Sequence, residues 1–338
     1  MRILIIANKL PYPPRDGGSI ATLNMITGLR DAACEVTCLA MNTRKHPFPV
    51  EQIPSPLRDT VQFIGVSCDN SIRPLKLLGN LLFSRKPYIA QRFKYRAFRR
   101  VLEDLLKNNH FDVVQLEGPY PGHYLPVIRK ESRARIALRA HNVEHLIWMR
   151  KALNEKRRLT RWYLKDMASR LERFEKEVTR KVDCVVTISS IDEEHFRNYT
   201  GNMPIITIPA GLNLDDYPVS PVPGGNTVFF IGALDWLPNQ EGLRWFLKEV
   251  LDTLLEEIPD LTFHVAGRNV PDSFRRELRR KGVSFHGEVE DSHAFMQSCR
   301  VMVAPLFTGS GIRVRYWKAW PWDGRWSPHP RGSKGYRP

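Results

Sequence analysis

Residues 2–29 read RILIIANKLPYPPRDGGSIATLNMITGL, and this stretch decides the fold class. Ile3 to Ala7 is an apolar run of strand length, closed by Asn8 and the prolines Pro11, Pro13 and Pro14. Asp16, Gly17, Gly18 and Ser19 then open a segment in which Ile20, Leu23, Ile26 and Leu29 recur at helical spacing. A strand, a glycine-bearing turn and a helix, in that order, begin a parallel α/β unit. Two glycines at a helix N-terminus let backbone N–H groups approach an anion, which the helix dipole also favours. The turn reads either as a phosphate site at the carboxyl edge of a parallel sheet or as a surface turn that carries Gly-Gly. It is not the dinucleotide fingerprint, because G-x-G-x-x-G is missing.

The same alternation continues outward from this unit. Strands are expected at Ile3 to Ala7, Glu35 to Ala40, Val61 to Gly65, Val113 to Leu116, Arg135 to Ala140, Cys184 to Ile188 and Ile205 to Ile208. Between Leu146 and Lys181 the pattern predicts a long, charge-rich helical region with a solvated face. Asp215 to Asn226, DDYPVSPVPGGN, is dense in Pro and Gly and reads as a linker. Beyond it come strands at Val228 to Gly232, Leu261 to Ala266 and Arg300 to Pro305, and a helix at Asn239 to Glu257. The expected fold class is α/β, with two Rossmann-like parallel-sheet lobes and a ligand cleft between them.

Bulk properties bound the function. A chain of 338 residues has room for about two domains, at roughly 150 residues each. No apolar run approaches the roughly 18 residues of a membrane span. Five cysteines without a C-x-x-C pair predict reduced thiols and a cytoplasmic location. The net charge of +15 points to acidic partners. Between Arg73 and Lys107 ten Lys/Arg stand against Glu103 and Asp104, with Phe83, Tyr88, Phe93, Tyr95 and Phe98 interleaved. That stretch is either a peripheral contact for an anionic membrane, at its inner face, or a solvated helix face with buried aromatics. No helix-turn-helix, zinc or RNA-binding signature supports nucleic acid as a partner.

Several segments converge on one family. FIGALDWLPNQEGLRWFLKEVL (Phe230 to Leu251), FHVAGR (Phe263 to Arg268), FHGEVED (Phe285 to Asp291) and VMVAPLFTGSGIRV (Val301 to Val314) resemble glycosyltransferase family 4. PYPPRDGGSIATLN, RAHNVEH (Arg139 to His145) and VVTISS (Val185 to Ser190) fit the same family. The resemblance implies a two-lobed GT-B fold and retaining transfer of a sugar from a nucleotide-sugar donor to a glycan or lipid-linked acceptor, with cell-surface polysaccharide synthesis as a family-level expectation. The nucleotide-sugar is a substrate, so no cofactor is expected, and no metal constellation is evident. The corresponding division is an acceptor-side lobe at 1–218, a linker at 219–226, a partial donor lobe at 227–314 and a tail at 315–338.

The physical roles follow from the charge of a nucleoside diphosphate leaving group, which needs positive electrostatics. FTGSGI, with Gly309, Ser310 and Gly311, offers a backbone nest for a diphosphate. Gly17 and Gly18 would close on it from the first lobe, and Gly232 ends the first strand of the second. Arg268 and Arg313 either lie against the phosphates or are surface arginines. The resemblance puts His141 beside the transferred sugar, and Trp236 in the donor cleft or the core. Two positions depart from the family pattern. Ala233 and Leu234 stand where many relatives carry an Arg and a Lys, and Ser310 stands where the first glutamate of an E-x7-E element is usual.

After Val314 the chain reads RYWKAWPWDGRWSPHPRGSKGYRP, with four of the eight tryptophans and no periodicity. Tryptophan has the single codon TGG, so a frame displaced by one nucleotide can be tested on the protein sequence. In that frame Trp317 and Lys318 yield Glu, Trp320 and Pro321 yield Ala, and Trp322 and Asp323 yield Gly. One consistent set of codons gives KVLEGMAMGRPVVSTPTGIEGIPA, the element the family resemblance calls for next. The tail is therefore read as out of frame, with Lys318 in place of the carboxylate that would hold the nucleotide ribose. Weak donor binding and low stability are expected of the chain as written. Two other readings stand beside the transferase: a non-catalytic binding remnant of the first lobe, and a GT-B-shaped sugar-nucleotide epimerase.

Overall fold

Apolar runs and amphipathic segments build two parallel sheets. The computed structural model describes residues 1–14, 16–44, 47–211, 224–305 and 326–328. Residues up to Gly211 form one compact unit, and the described residues from 224 onward form a second.

The first unit holds strands β1 (Arg2–Ala7), β2 (Glu35–Thr43), β3 (Gln62–Cys68), β4 (Val113–Glu117), β5 (Arg135–Ala140), β6 (Cys184–Thr187) and β7 (Ile205–Thr207). Its helices are α1 (Gly17–Asp31), α2 (Ser55–Arg58), α3 (Pro74–Phe83), α4 (Tyr88–Gln91), α5 (Arg96–Asn108), α6 (Leu125–Glu131), α7 (Glu144–Asn154), α8 (Arg158–Thr179) and α9 (Ser190–Thr200). The sheet runs β3-β2-β1-β4-β5-β6-β7, parallel throughout. Strand order reverses between β1 and β4, the place where α/β sheets open a crevice at their carboxyl edge.

Strands β1, β2, β4, β5 and β6 are buried on both faces, which is why these segments read as apolar runs and not as clean alternation, whereas β3 and β7 keep exposed positions. Ile3, Ile5 and Ala7 pack on one side with Cys38, Ala40 and Ile26 of α1. Leu4 and Ile6 pack on the other with Phe98 and Leu102 of α5 and Phe174 of α8. The period-two separation of β1 thus feeds two cores.

The second unit contains β8 (Thr227–Ile231), β9 (Thr262–Ala266), β10 (Val283–Gly287) and β11 (Val301–Ala304), in the order β10-β9-β8-β11 and parallel. Helices α10 (Leu237–Glu249), α11 (Leu251–Glu257), α12 (Asp272–Glu277) and α13 (Ser292–Gln297) complete it. A short strand β12 (Trp326–Pro328) pairs beside β11. Strand pairing uses backbone groups alone, so three residues of a tail without periodicity can join an edge, where proline is tolerated.

The structure refines the expected elements in three places. The stretch from Leu146 to Lys181 is two helices, α7 and α8, because the chain turns extended at Glu155 (φ −78°, ψ 127°). The helix expected over Asn239 to Glu257 breaks at Val250 (φ −126°, ψ −45°), giving α10 and α11. Strand β10 was read only as the motif FHGEVED. It sits at a sheet edge, and its half-buried residues carry no strong pattern.

Candidate active site

Glu117 is the last residue of β4, and its neighbours in the sheet are Ala7 at the end of β1 and Arg139 near the end of β5. The strand register therefore brings Glu117, Arg139 and His141 together at the reversal point. Glu117 and Arg139 are buried to 4% and 1% exposure. Arg139 Nη1 lies 3.6 Å from Glu117 Oε2 and donates to the Ala21 carbonyl of α1 at 3.0 Å. Thr22 Oγ1 donates to Glu117 Oε2 at 2.8 Å, and Gln115 Nε2 donates to Oε1 at 2.6 Å. His141 Nε2 meets Glu117 Oε2 at 2.5 Å.

Burial alone would raise the Glu117 carboxyl. The charges of Arg139 and His141, with the hydrogen bonds from His141 and Thr22, overcome it and bring the group down to about 2. Glu117 is therefore ionised at neutral pH and can only accept, so His141 Nε2 carries the proton. That bond fixes the tautomer and the ring plane of His141. Among the described residues His141 Nδ1 has no hydrogen-bond partner, and neither has Arg139 Nε.

The second half of RAHNVEH forms a separate network. Glu175 of α8, 1% exposed, accepts the Glu144 backbone N–H at 3.0 Å on Oε1 and holds His145 Nδ1 at 2.6 Å on Oε2. Glu144, in the first turn of α7, accepts from Tyr120 Oη at 2.9 Å. Burial, and then the Glu175 charge, push Glu144 up to about 7 against the lowering effect of Tyr120. The Tyr120 hydroxyl itself is raised by burial and by Glu144.

Gly17 and Gly18 begin α1. A Cβ at Gly17 would meet nothing within 4 Å, and at Gly18 only ordinary contacts from 3.4 Å, so packing does not demand either glycine. The helix is capped by Asp16, whose Oδ1 accepts from Ser19 N at 3.0 Å while Oδ2 pairs with Lys9 Nζ at 2.5 Å. A carboxylate thus already takes one of the N-terminal donors that the sequence offered to an anion.

In the second unit Gly232 follows β8, and its N–H donates to the Ala266 carbonyl at 3.1 Å. The loop beyond it is held by the first turn of α10. Asn239 Nδ2 donates to the Ala233 carbonyl at 2.7 Å, and Gln240 Nε2 to the Leu234 carbonyl at 2.6 Å. Trp236 stands at the N-cap position of that helix, exposed at 36% and outside the core clusters of the described residues. Arg268 is half-buried after β9, and its backbone carbonyl accepts from Leu234 N at 2.9 Å. Gly309, Ser310, Gly311 and Arg313 lie outside the described residues. Among the described residues no group of three metal-ligating side chains occurs.

The sequence reading missed Glu117, Thr22, Gln115 and Glu175. Only RAHNVEH signalled them, by carrying two histidines and an arginine that a folded sheet must neutralise.

The sequence model described as Glycosyltransferase Family 4 matches residues 15–216, and the model described as Glycosyl transferases group 1 matches residues 225–320. The chain belongs to glycosyltransferase family 4. A Klebsiella pneumoniae relative of this family-4 chain, described as an uncharacterised 44.6 kDa protein in the cps region, is 21% identical over 93% of this chain and 79% of its own length. Sucrose-phosphate synthase from Thermosynechococcus elongatus shares the fold at a TM-score of 0.60 and 17% identity, over 94% of this chain and 78% of that one. Anabaena HepE, solved with UDP-glucose, matches at a TM-score of 0.56 and 13% identity, over 94% and 78%. The family-4 chain has the GT-B fold of these glycosyltransferases.

Proposed function

We propose that the protein transfers a sugar from a nucleotide-sugar donor to a glycan or lipid-linked acceptor with retention of configuration, in the synthesis of a cell-surface polysaccharide. The observation that carries this reading is His141, locked by the ionised Glu117 at the reversal point of the sheet in a chain built of two glycosyltransferase domains. In the reaction His141 would bind a hydroxyl of the transferred sugar, with Glu117 and Arg139 as positioning residues. Gly17 and Gly18 would take up donor phosphate from the first unit. Gly232, Trp236, Arg268 and the segment bearing Gly309, Ser310, Gly311 and Arg313 would bind the donor from the second. HepE, solved with UDP-glucose, supports a nucleotide-sugar, and the description of the Klebsiella relative supports a capsule-type pathway.

The test is a thermal-shift screen of nucleotide-sugars, followed by product analysis by NMR with candidate acceptors. A true donor at 100 times its Kd stabilises the fold by about 2.7 kcal/mol. His141→Ala is expected to lower kcat/KM by roughly ten- to hundredfold, the size of one charge-assisted hydrogen bond. Inverted product, or unchanged kinetics in His141→Ala, would refute the reading.

The same proposal includes the displaced frame after Val314. Sequencing the gene through codon 315 should find one additional or missing nucleotide and an open frame encoding V-L-E-G-M-A-M-G. A confirmed present frame would leave Lys318 in the donor site and predicts at least tenfold weaker donor binding, by loss of a carboxylate–ribose hydrogen bond.

A further inference from the structure

Helix α3 turns its apolar side outward. Leu75, Leu78, Leu82 and Phe83 stand at i, i+3, i+7 and i+8 of a single helical stripe, with Gly79 filling the position between. Their exposures are 85, 53, 63 and 88%, and Ile72 just before the helix is 64% exposed. A water-soluble surface does not normally present so contiguous an apolar stripe without a partner.

The stripe is a fixed feature of the fold, because α3 is tied from its inner side at both ends. At the C-terminal end Arg170 of α8 donates to the carbonyls of Asn80 (3.1 Å), Leu81 (3.1 Å) and Ser84 (2.5 Å). The guanidinium is in turn paired with Asp166 at 2.8 Å. At the N-terminal end the Tyr88 hydroxyl accepts from Arg73 N at 2.9 Å and donates to the Arg73 carbonyl at 3.3 Å.

The charge beside the stripe gives the chemistry of the partner. An open cavity of about 570 Å³ adjoins α3, with Arg73, Lys76, Arg92, Lys94 and Arg96 against one acid, Asp69, among its described lining residues. Asp69 is taken by Arg73 at 2.9 Å, and Arg92 Nε donates to the Asn70 carbonyl at 2.8 Å. Lys76, Lys94 and Arg96 are left without an ion pair among the described residues. An apolar stripe bordered by unpaired cations is complementary to an anionic bilayer, whose acyl boundary accepts the one and whose lipid phosphates accept the other.

We propose that α3 and this cavity dock the protein on an anionic lipid bilayer. Leu75, Leu78, Leu82 and Phe83 enter the boundary between headgroups and acyl chains. Lys76, Lys94 and Arg96 contact the lipid phosphates. This goes beyond the transfer reaction, and the binding test below does not depend on activity.

The full chain is sedimented with vesicles of phosphatidylcholine alone and with vesicles that also contain phosphatidylglycerol. Binding to the anionic vesicles is expected to be at least tenfold tighter, at roughly fivefold per cation near the surface, and to weaken with salt. Leu78→Glu with Leu82→Glu should abolish it, with circular dichroism and Tm confirming the fold, since both side chains are exposed. Lys76→Glu, Lys94→Glu and Arg96→Glu together provide the second variant and should also remove the preference for phosphatidylglycerol. Equal binding to both vesicle types, or binding untouched by both variants, overturns the proposal. So does a loss of self-association in the leucine variant without any vesicle binding, because a second copy of the chain would then cover the stripe.

Discussion

Glu117 accepts from Thr22, Gln115 and His141 while Arg139 lies 3.6 Å away, and a neutral amide there would leave a 1% exposed guanidinium without its counter-charge. Glu117→Gln is expected to cost about 3–5 kcal/mol, the usual penalty for breaking a buried pair, measured by urea denaturation at neutral pH. A loss below about 1 kcal/mol would show that the pair is dispensable. In the folded chain Glu117 sits at about 2 against an ordinary 4.5, so the native state binds fewer protons than the unfolded one. Its contribution is complete above 4.5 and disappears as pH falls toward 2. Glu144 has the opposite sign. Held at about 7, it keeps its proton in the native state, so its contribution is complete below 4.5 and is lost as pH rises through 7. Glu144→Gln cannot ionise, so its Tm should decline less than the wild-type Tm between about pH 5 and pH 8. Parallel Tm curves would sink that assignment.

At the scale of elements, two close backbone approaches decide how the second unit packs. A Cβ on Gly242 of α10 would lie 1.6 Å from the Pro305 carbonyl oxygen, next to β11, and one on Gly267 after β9 would lie 1.9 Å from the Gly232 carbonyl oxygen. Backbone atoms cannot swing away as a side-chain end can, so each Gly→Ala change forces the element itself to shift. Each should destabilise by roughly 1–3 kcal/mol or more, read as a lowered urea midpoint. The Gly267→Ala change should also disturb the loop bearing Gly232 and Trp236, and so weaken donor binding. Most strands were legible because buried parallel strands are short apolar runs bounded by turn residues. The break at Val250 was not, because Val250 and Leu251 both satisfy the apolar pattern and only φ and ψ at Val250 interrupt the helix.

On the scale of the whole molecule, all seven strands of the first sheet and the residues of both its cores lie before Gly211. A fragment of residues 1–211 should therefore unfold cooperatively on its own and keep the acid sensitivity set by Glu117, as followed by circular dichroism. A gradual, non-cooperative melt would contradict that division. The net charge of +15 is a property of the whole chain, but its consequence depends on placement. Of the basic, aromatic stretch at 73–107, Tyr88 and Phe98 are buried while Phe83 is exposed to 88%. Buried aromatics under a solvated helix face thus describe α4 and α5, while α3 leaves Phe83 at the surface.

Periodicity, turn chemistry and ordered motifs were enough to determine the α/β class, most strand positions and the family, because each is written in residues close together along the chain. The motif RAHNVEH likewise marked His141. What holds His141 was decided only by the tertiary structure. Glu117 lies 24 positions away, Thr22 lies 95 positions from Glu117, and Glu175 lies 30 from His145. Parallel register and helix packing bring these groups to one sheet edge, and no local pattern encodes a pairing between strands. The outward stripe of α3 has the same origin. Its leucines are plain in the sequence, but only the anchoring by Arg170 and Tyr88 settles which side of the helix meets the solvent.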